Sequence, residues 1–244
     1  MRIFADYHTH TRFSHGKGTI EENVQAARKK GLREIAITDH GPGHFLYGIR
    51  KDALVKMKEE VRRINDRYGD IDVLLGVEAN VVSIDGTIDV DESIIPMLDI
   101  LLVGYHFGAL PGSIRDGYHI HFKNFAGRLI KGLALSAREI NTRALIKAIE
   151  RYPVRIITHP GAKADIDTAA IADAAVRNGT ALEINASHHF MTVDYVRIAK
   201  QHGAKFVLSS DAHSPEKVGE VSSALDIAIK AGISARDIIN AEEV

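Results

Sequence analysis

The sequence predicts an α/β domain in which seven parallel strands close into a barrel with helices outside. Two observations lead there. Short apolar runs alternate with longer amphipathic segments from end to end, the order expected of repeated β-then-α units. The runs are rich in Ile, Val, Leu and Ala without polar alternation, as strands covered on both faces should be. Seven such runs favour closure over an open sheet.

The elements follow in order. Arg2–Tyr7 is the first strand, and Thr19–Lys30 the first helix. That helix opens on the capping-box pattern Thr19-Ile20-Glu21-Glu22 and stops at Gly31. Strand Glu34–Thr38 and helix Lys51–Tyr68 come next, then strands Val73–Val77 and Ile100–Gly104. Asp85–Ile95, between the last two, reads as a short hairpin-like excursion with a helical turn. Phe107–Ser136 is long, glycine-punctuated and only partly helical, which suits a lid over one barrel end. Its Phe107, Leu110, Tyr118, Phe122 and Phe125 fit a lid, a contact between copies in a homo-oligomer, or both. Helices Ala137–Arg151, Ile166–Asn178, Thr192–His202 and Pro215–Ala231 complete the pattern, with a short one after Ser234. Strands Val154–Thr158, Ala181–Ile184 and Lys205–Ser209 separate them. With no repeat, low-complexity tract or linker, residues 1–244 read as one domain.

Composition narrows the function. Formal net charge is −1, so no overall field favours nucleic acid or an anionic membrane. No apolar stretch approaches the roughly 20 residues that span a bilayer. The first residues enter a strand without a basic leader, and the cytoplasm is the expected location. There is no cysteine, so a metal site must use nitrogen and oxygen ligands. Against that background, 13 histidines invite the question of where they sit.

They sit at strand ends. The first strand is followed by His8-Thr9-His10, the second by Asp39-His40, the third by Glu78 and the fourth by Tyr105-His106. His159-Pro160 follows the fifth, Asn185 the sixth, and Asp211-Ala212-His213 the seventh. In a parallel barrel these ends open on one face, where such folds keep their active sites. In extended chain residues i and i+2 point the same way, so His8 with His10, and Asp211 with His213, can address one ion. His15 can reach back from the first loop. Any one histidine after a strand is ordinarily a capping or hydrogen-bonding residue; histidine or carboxylate after six of the seven strands is not explained by loop solvation. Histidine and carboxylate without sulfur suit zinc, manganese or iron. Asp6 and Asp39 are read as loop braces, His188 and His189 as rim residues, and His202 as structural. His119-Ile120-His121 has ligand-like spacing but is read as polar or substrate-facing.

His8-Thr9-His10, Phe13-Ser14-His15-Gly16, Ile37-Thr38-Asp39-His40-Gly41, Glu78, His106, Thr158-His159-Pro160 and Ser210-Asp211-Ala212-His213 together resemble the PHP (polymerase and histidinol phosphatase) family. The likeness runs from about residue 3 to residue 220 and is strongest to its small stand-alone bacterial phosphoesterases, the YcdX-like subgroup. It implies a distorted seven-stranded (β/α)7, TIM-like barrel with a trinuclear metal centre at the C-terminal ends of the strands. Carried over by position, His8, His10, Glu78 and Asp211 would hold one divalent ion. Glu78, as a bridge, would join His106 and His159 on a second, and His15, His40 and His213 would hold a third. Glu78, Asp211 and His10 would then stand closest to the chemistry.

Such a centre activates water and neutralises phosphate oxygens, so the expected activity is hydrolysis of a small phosphorylated metabolite. Histidinol phosphate is one candidate, because one branch of the family takes it. Arg12 beside the His-x-His motif, Lys17 between two glycines before the capped helix, Lys163 in Gly161-Ala162-Lys163, and His44 are the expected substrate contacts. Three other activities compete: a polymerase-associated type of phosphodiesterase or exonuclease, an amidohydrolase-like C–N hydrolase, and a non-catalytic metal-holding scaffold. The balanced charge weighs against the first, the third set of ligands against the second, and the intact ligand set against the last.

Overall fold

The computed structural model describes residues 1–127 and 129–243; Arg128, in the predicted lid segment, and Val244 lie outside the described residues. Near the N-terminus the predicted first strand divides into β1 (Arg2–Ile3) and β2 (Ala5–Asp6). Helix α1 (Ile20–Lys29), β3 (Glu34–Ile37), α2 (Lys51–Arg67), β4 (Asp72–Asn80) and β5 (Ile100–Gly104) follow. Next come α3 (Ile114–Asp116), α4 (Lys123–Gly127), α5 (Lys131–Arg151), β6 (Ile156–Ile157) and α6 (Thr168–Asn178). The chain ends with β7 (Ala181–Asn185), α7 (Val193–Gln201), β8 (Phe206–Ser209), α8 (Ser222–Lys230) and β9 (Ala241–Glu242).

Strands β2 to β8 form one parallel sheet in sequence order, each paired with the next, so the predicted seven-stranded α/β barrel is present and nearly closed. The seam between β8 and β2 carries no strand ladder. At its upper end His10 N–H donates to Ala212 C=O (2.8 Å) and Ala212 N–H to His8 C=O (3.2 Å). Lower down, the buried Asn240 side chain donates to Ala5 and Leu208 carbonyls (both 2.8 Å) and accepts Leu208 N–H (3.1 Å). An amide side chain thus substitutes for strand pairing where the barrel is distorted.

Inside, the barrel is layered. Ala5, Tyr7, Ala36, Ile100, Leu102, Ile156, Ala181 and Val207 form a small apolar cluster. Along β4, the inward row that begins at Leu74 continues through Gly76 to Glu78 and Asn80; along β7, Ala181 is followed on the same face by Glu183 and Asn185. Apolar residues therefore fill one end of the interior and polar ones the other. A larger apolar layer between strands and helices encloses both.

Local signals behave as their chemistry requires. Thr19 and Glu22 form the expected capping box, and Gly31 leaves α1 with φ +73°. Three expectations need correction. Strand Val154–Thr158 shrinks to two residues, because only Ile156 and Ile157 find ladder partners on both sides. The helix expected over Pro215–Ala231 is a 3₁₀ turn (Pro215–Lys217) and α8, broken at Gly219 with φ +71°. Helix α5, expected from Ala137, begins at Lys131, inside a Phe107–Ser136 segment that is only partly helical as expected, with a π-helical stretch Gly117–Phe122 between α3 and α4. The segment exposes Phe107, Leu110, Tyr118, Phe122 and Phe125. No helix among the described residues is long and apolar enough to cross a membrane.

Candidate metal centre

The polar layer converges on Glu78. This carboxylate is 1% exposed, and ring nitrogens of five histidines lie within 3.7 Å of its oxygens: His8 (3.3 Å), His10 (3.7 Å), His40 (2.9 Å), His106 (3.3 Å) and His159 (3.0 Å). Asp211 closes the opposite side, with Oδ1 3.5 Å from His8 Nε2 and 3.3 Å from His10 Nε2. His15 and His213 complete the cluster, their rings 4.1 Å apart and each beside His10. All nine residues expected to bind metal are thereby brought together. Three sets of donor atoms lie close enough to share an ion: His10, His15, His40 and His213; His8, His10 and Asp211; His40, Glu78 and His106. His10 and His40 each belong to two sets, which differs from the assignment by family position.

Backbone geometry aims these groups. Among the described non-glycine residues, His159 (φ +28°) and Asp211 (φ +54°) have positive φ, and both stand at strand ends in the cluster. Side chains in such conformations cost stability and persist where the surroundings hold them for a purpose. Partners behind the rings fix their orientation. Glu183 Oε1 lies 2.7 Å from His8 Nδ1, and its other oxygen accepts His159 N–H (2.6 Å). Asn80 Oδ1 meets His106 Nδ1 at 2.7 Å, and His213 Nδ1 meets the Asp211 carbonyl at 2.9 Å. Asp39 accepts Thr11 N–H and hydroxyl (2.7 and 2.6 Å), and Asp6 accepts Ser210 and Gly219 amides, so both are braces as expected.

The donor set fits divalent cations. His10 Nδ1, His15 Nδ1, His40 Nδ1 and Glu78 Oε2 are buried without a hydrogen-bond partner. His40 Nδ1 and Glu78 Oε2 come within 2.9 Å yet do not hydrogen-bond. Desolvation drives His10 well below its ordinary pKa, and burial with neighbouring imidazoles lowers His15 and His106 to about 4. Burial opposes ionisation of Glu78 and Asp211, yet the histidines around them hold both carboxyls well below the usual range. His10, His15 and His106 are thus held neutral with ring nitrogens free to ligate. The carboxylates around His8 and His159 overcome burial and raise both, and a divalent cation at the same place would be favoured in turn.

The expected substrate contacts divide. His44 stacks on His40 (5.0 Å between rings), and a Cβ on Gly108 would fall 2.4 Å from its ring, so only glycine fits beneath it. Lys17 lines a cleft of about 450 Å³ together with Asp211 and His213. Lys163 sits 5.9 Å from the Phe107 ring at the mouth's other side. Arg12 is exposed and paired with Glu22 (3.5 Å), away from the cluster. His188 reaches 3.6 Å from Asp211 and sits on the rim, while His121 is tied to the Ala109 carbonyl and His202 to Asp173. Sequence reasoning missed Glu183 and Asn80. Both sit inside strands, whereas the reading followed only the residues after each strand. An acid in the otherwise apolar Ala181–Ile184 run was the available signal.

The comparisons with known proteins agree with this architecture. A protein from Shewanella sediminis described as "Probable phosphatase" is 34% identical over 98% of this chain and 90% of its own length. One from Shewanella frigidimarina, with the same description, is 32% identical over 98% and 90%. The fold resembles that of histidinol phosphate phosphatase from Lactococcus lactis, solved with zinc, L-histidinol and phosphate: TM-score 0.62, 16% identity, 94% of each chain covered. The model of the PHP domain matches residues 6–213, a span that holds every residue of the cluster, and the chain belongs to the PHP family.

Proposed function

We propose that the chain is a metal-dependent phosphomonoesterase that releases inorganic phosphate from a small phosphorylated metabolite. The observation that carries this reading is Glu78, a buried carboxylate with five imidazoles around it and unsatisfied lone pairs beside it. The relatives' description as phosphatases supports it. By family position, His8, His10, Glu78 and Asp211 are assigned to one ion, Glu78, His106 and His159 to a second, and His15, His40 and His213 to a third, although the donor atoms as they stand group differently. Zinc, manganese or iron suits this set. Bound there, the ions would supply Lewis acidity that lowers the pKa of water and neutralises phosphate oxygens.

The chain's own groups hold and orient. Glu183 keeps His8 with Nε2 turned to the centre, and Asn80 does the same for His106. Glu78, Asp211 and His10 lie nearest the reacting atoms, while Lys17, Lys163 and His44 frame the mouth. Arg12 contacts substrate only if it leaves Glu22. The exposed Phe107–Phe125 face serves as lid or contact between copies. A phosphorylated metabolite as substrate makes the cytoplasm the expected compartment.

The test is to strip the protein of metal, restore manganese or zinc, and follow a chromogenic phosphomonoester beside Asp211→Asn. Activity that returns with metal and is lost in the variant supports the reading. Trimming of single-stranded DNA well above monoester turnover would replace it with a phosphodiesterase.

A further inference from the structure

The cleft shared by Asp211 and His213 extends away from the histidines, and its outer wall is cationic. Lys17 and Lys217 line it together with Ser187, Ser214 and Ser222. At about 450 Å³ it is large enough for a whole metabolite, not a phosphate group alone. Two carboxylates touch it, and both are engaged: Asp211 by His8 and His10, and Glu220 by an ion pair with Lys30. Among the described residues neither Lys17 nor Lys217 has a carboxylate within 4 Å, although Glu216 acts on Lys17 and Glu220 on Lys217 at longer range. The backbone fixes where both begin. Lys17 N–H donates to His213 C=O (2.9 Å) and Lys217 N–H to Ser214 C=O (3.0 Å), so both side chains spring from loops tied to the end of β8. A phosphoryl group held at Asp211 and His213 would leave the rest of its molecule in this cleft, facing two ammonium groups that no close carboxylate neutralises.

We propose that Lys17 and Lys217 form a second anion subsite, and that the substrate is a phosphomonoester with a further anionic group, carboxylate or phosphate, on its leaving part. This rests on the phosphomonoesterase reading above. The other side of the mouth has a single lysine, Lys163, over the exposed Phe107 ring, with exposed Phe45 and Leu46 presenting apolar surface rather than a second cation.

The experiment compares matched substrates on the manganese-restored full chain: glycerol 3-phosphate against 3-phosphoglycerate, and fructose 6-phosphate against fructose 1,6-bisphosphate. Within each pair the second anion should lower KM about tenfold, equivalent to ~1.4 kcal/mol. The double variant Lys17→Ala/Lys217→Ala should erase most of that ratio through KM rather than kcat. Calorimetric titration of Asp211→Asn protein should show the same preference for the bisphosphate without turnover. The two pairs separate carboxylate from phosphate as the favoured second group. Equal KM within both pairs, or a variant that weakens all four substrates alike, overturns the subsite while leaving the phosphatase standing. No hydrolysis of any monoester overturns the phosphatase reading and the subsite with it.

Discussion

Glu183 and His8 share a hydrogen bond of 2.7 Å in which neither group is exposed to solvent. Burial disfavours the carboxylate, but His8 and His159 hold Glu183 below its ordinary pKa. Burial disfavours the imidazolium too, yet Glu183, Glu78 and Asp211 raise His8 well above its usual value. The hydrogen bond holds one proton on Nδ1, the nitrogen remote from Glu78, so that a cation at the centre would displace the proton on Nε2. Because Glu183 also accepts His159 N–H, one residue positions candidate ligands that follow two different strands.

Replacing Glu183 with Gln forces an amide N–H₂ towards one of those donors. Metal affinity should fall about 10–100-fold, the usual range for losing such a partner. Metal content after dialysis against graded chelator would measure this. Activity restored by excess manganese would mark Glu183 as a positioning residue; unchanged retention of metal would refute the role.

Metal removal should destabilise the fold itself. Ions bound only by the native state stabilise it by RT ln(1 + [L]/Kd), about 2.7 kcal/mol at a hundredfold excess. For a chain of this size that corresponds to a Tm shift of roughly 5–10 °C. Thermal melts with and without chelator test it. A coincident pair of melts would mean that the cluster binds no ion under those conditions.

The barrel and most of the candidate ligand set were readable because each strand is a short apolar run and these candidates, His15 excepted, come at or just after strand ends. His8, His10, Glu78, His106, His159 and Asp211 could be found that way. What supports them could not, since support depends on which strands become neighbours. Asn80 reaches His106 across the β4–β5 pair, and Glu183 reaches His8 across the barrel, 175 residues away in sequence. The Lys131–Ser136 part of α5 was hidden by Gly132, a residue that weakens a helix without forbidding it. Asn240 was invisible for another reason: nothing local announces that a polar residue near the C-terminus will fill a seam.

Asp89 should leave a mark on the pH dependence of stability. Its carboxylate accepts Asn80 N–H (2.7 Å), the Asn80 side-chain amide (2.6 Å) and Gly43 N–H (3.0 Å). Burial outweighs these donors and raises its pKa from 3.8 to about 6. The folded state thus binds this proton more tightly than the unfolded chain. Between pH 3.8 and about 6 the native form carries the extra proton, so this contribution to stability declines as pH rises through that window. Asp89→Asn removes the titration and should flatten that part of the curve, at a cost of about 1–3 kcal/mol near pH 7 from mispaired donors. Urea unfolding from pH 4.5 to 7 would show it. Identical slopes in both proteins would contradict the assignment.

Asn240 tests how the barrel closes. Its side chain is fully buried and serves Ala5 C=O, Leu208 C=O and Leu208 N–H, while its own C=O accepts Phe4 N–H (3.0 Å). Truncation to alanine would keep the backbone bond but strand three buried backbone groups at a seam with no ladder to absorb them. Each orphan costs about 1–3 kcal/mol, and partial access of water should hold the total near 3–5 kcal/mol. Asn240→Asp retains the acceptor and loses both donors, so it should be at least as damaging near neutral pH. Denaturant midpoints compared at equal m-value would measure both. A loss below about 1 kcal/mol for Asn240→Ala would mean that the loops carrying His10 and Ala212 close the barrel by themselves.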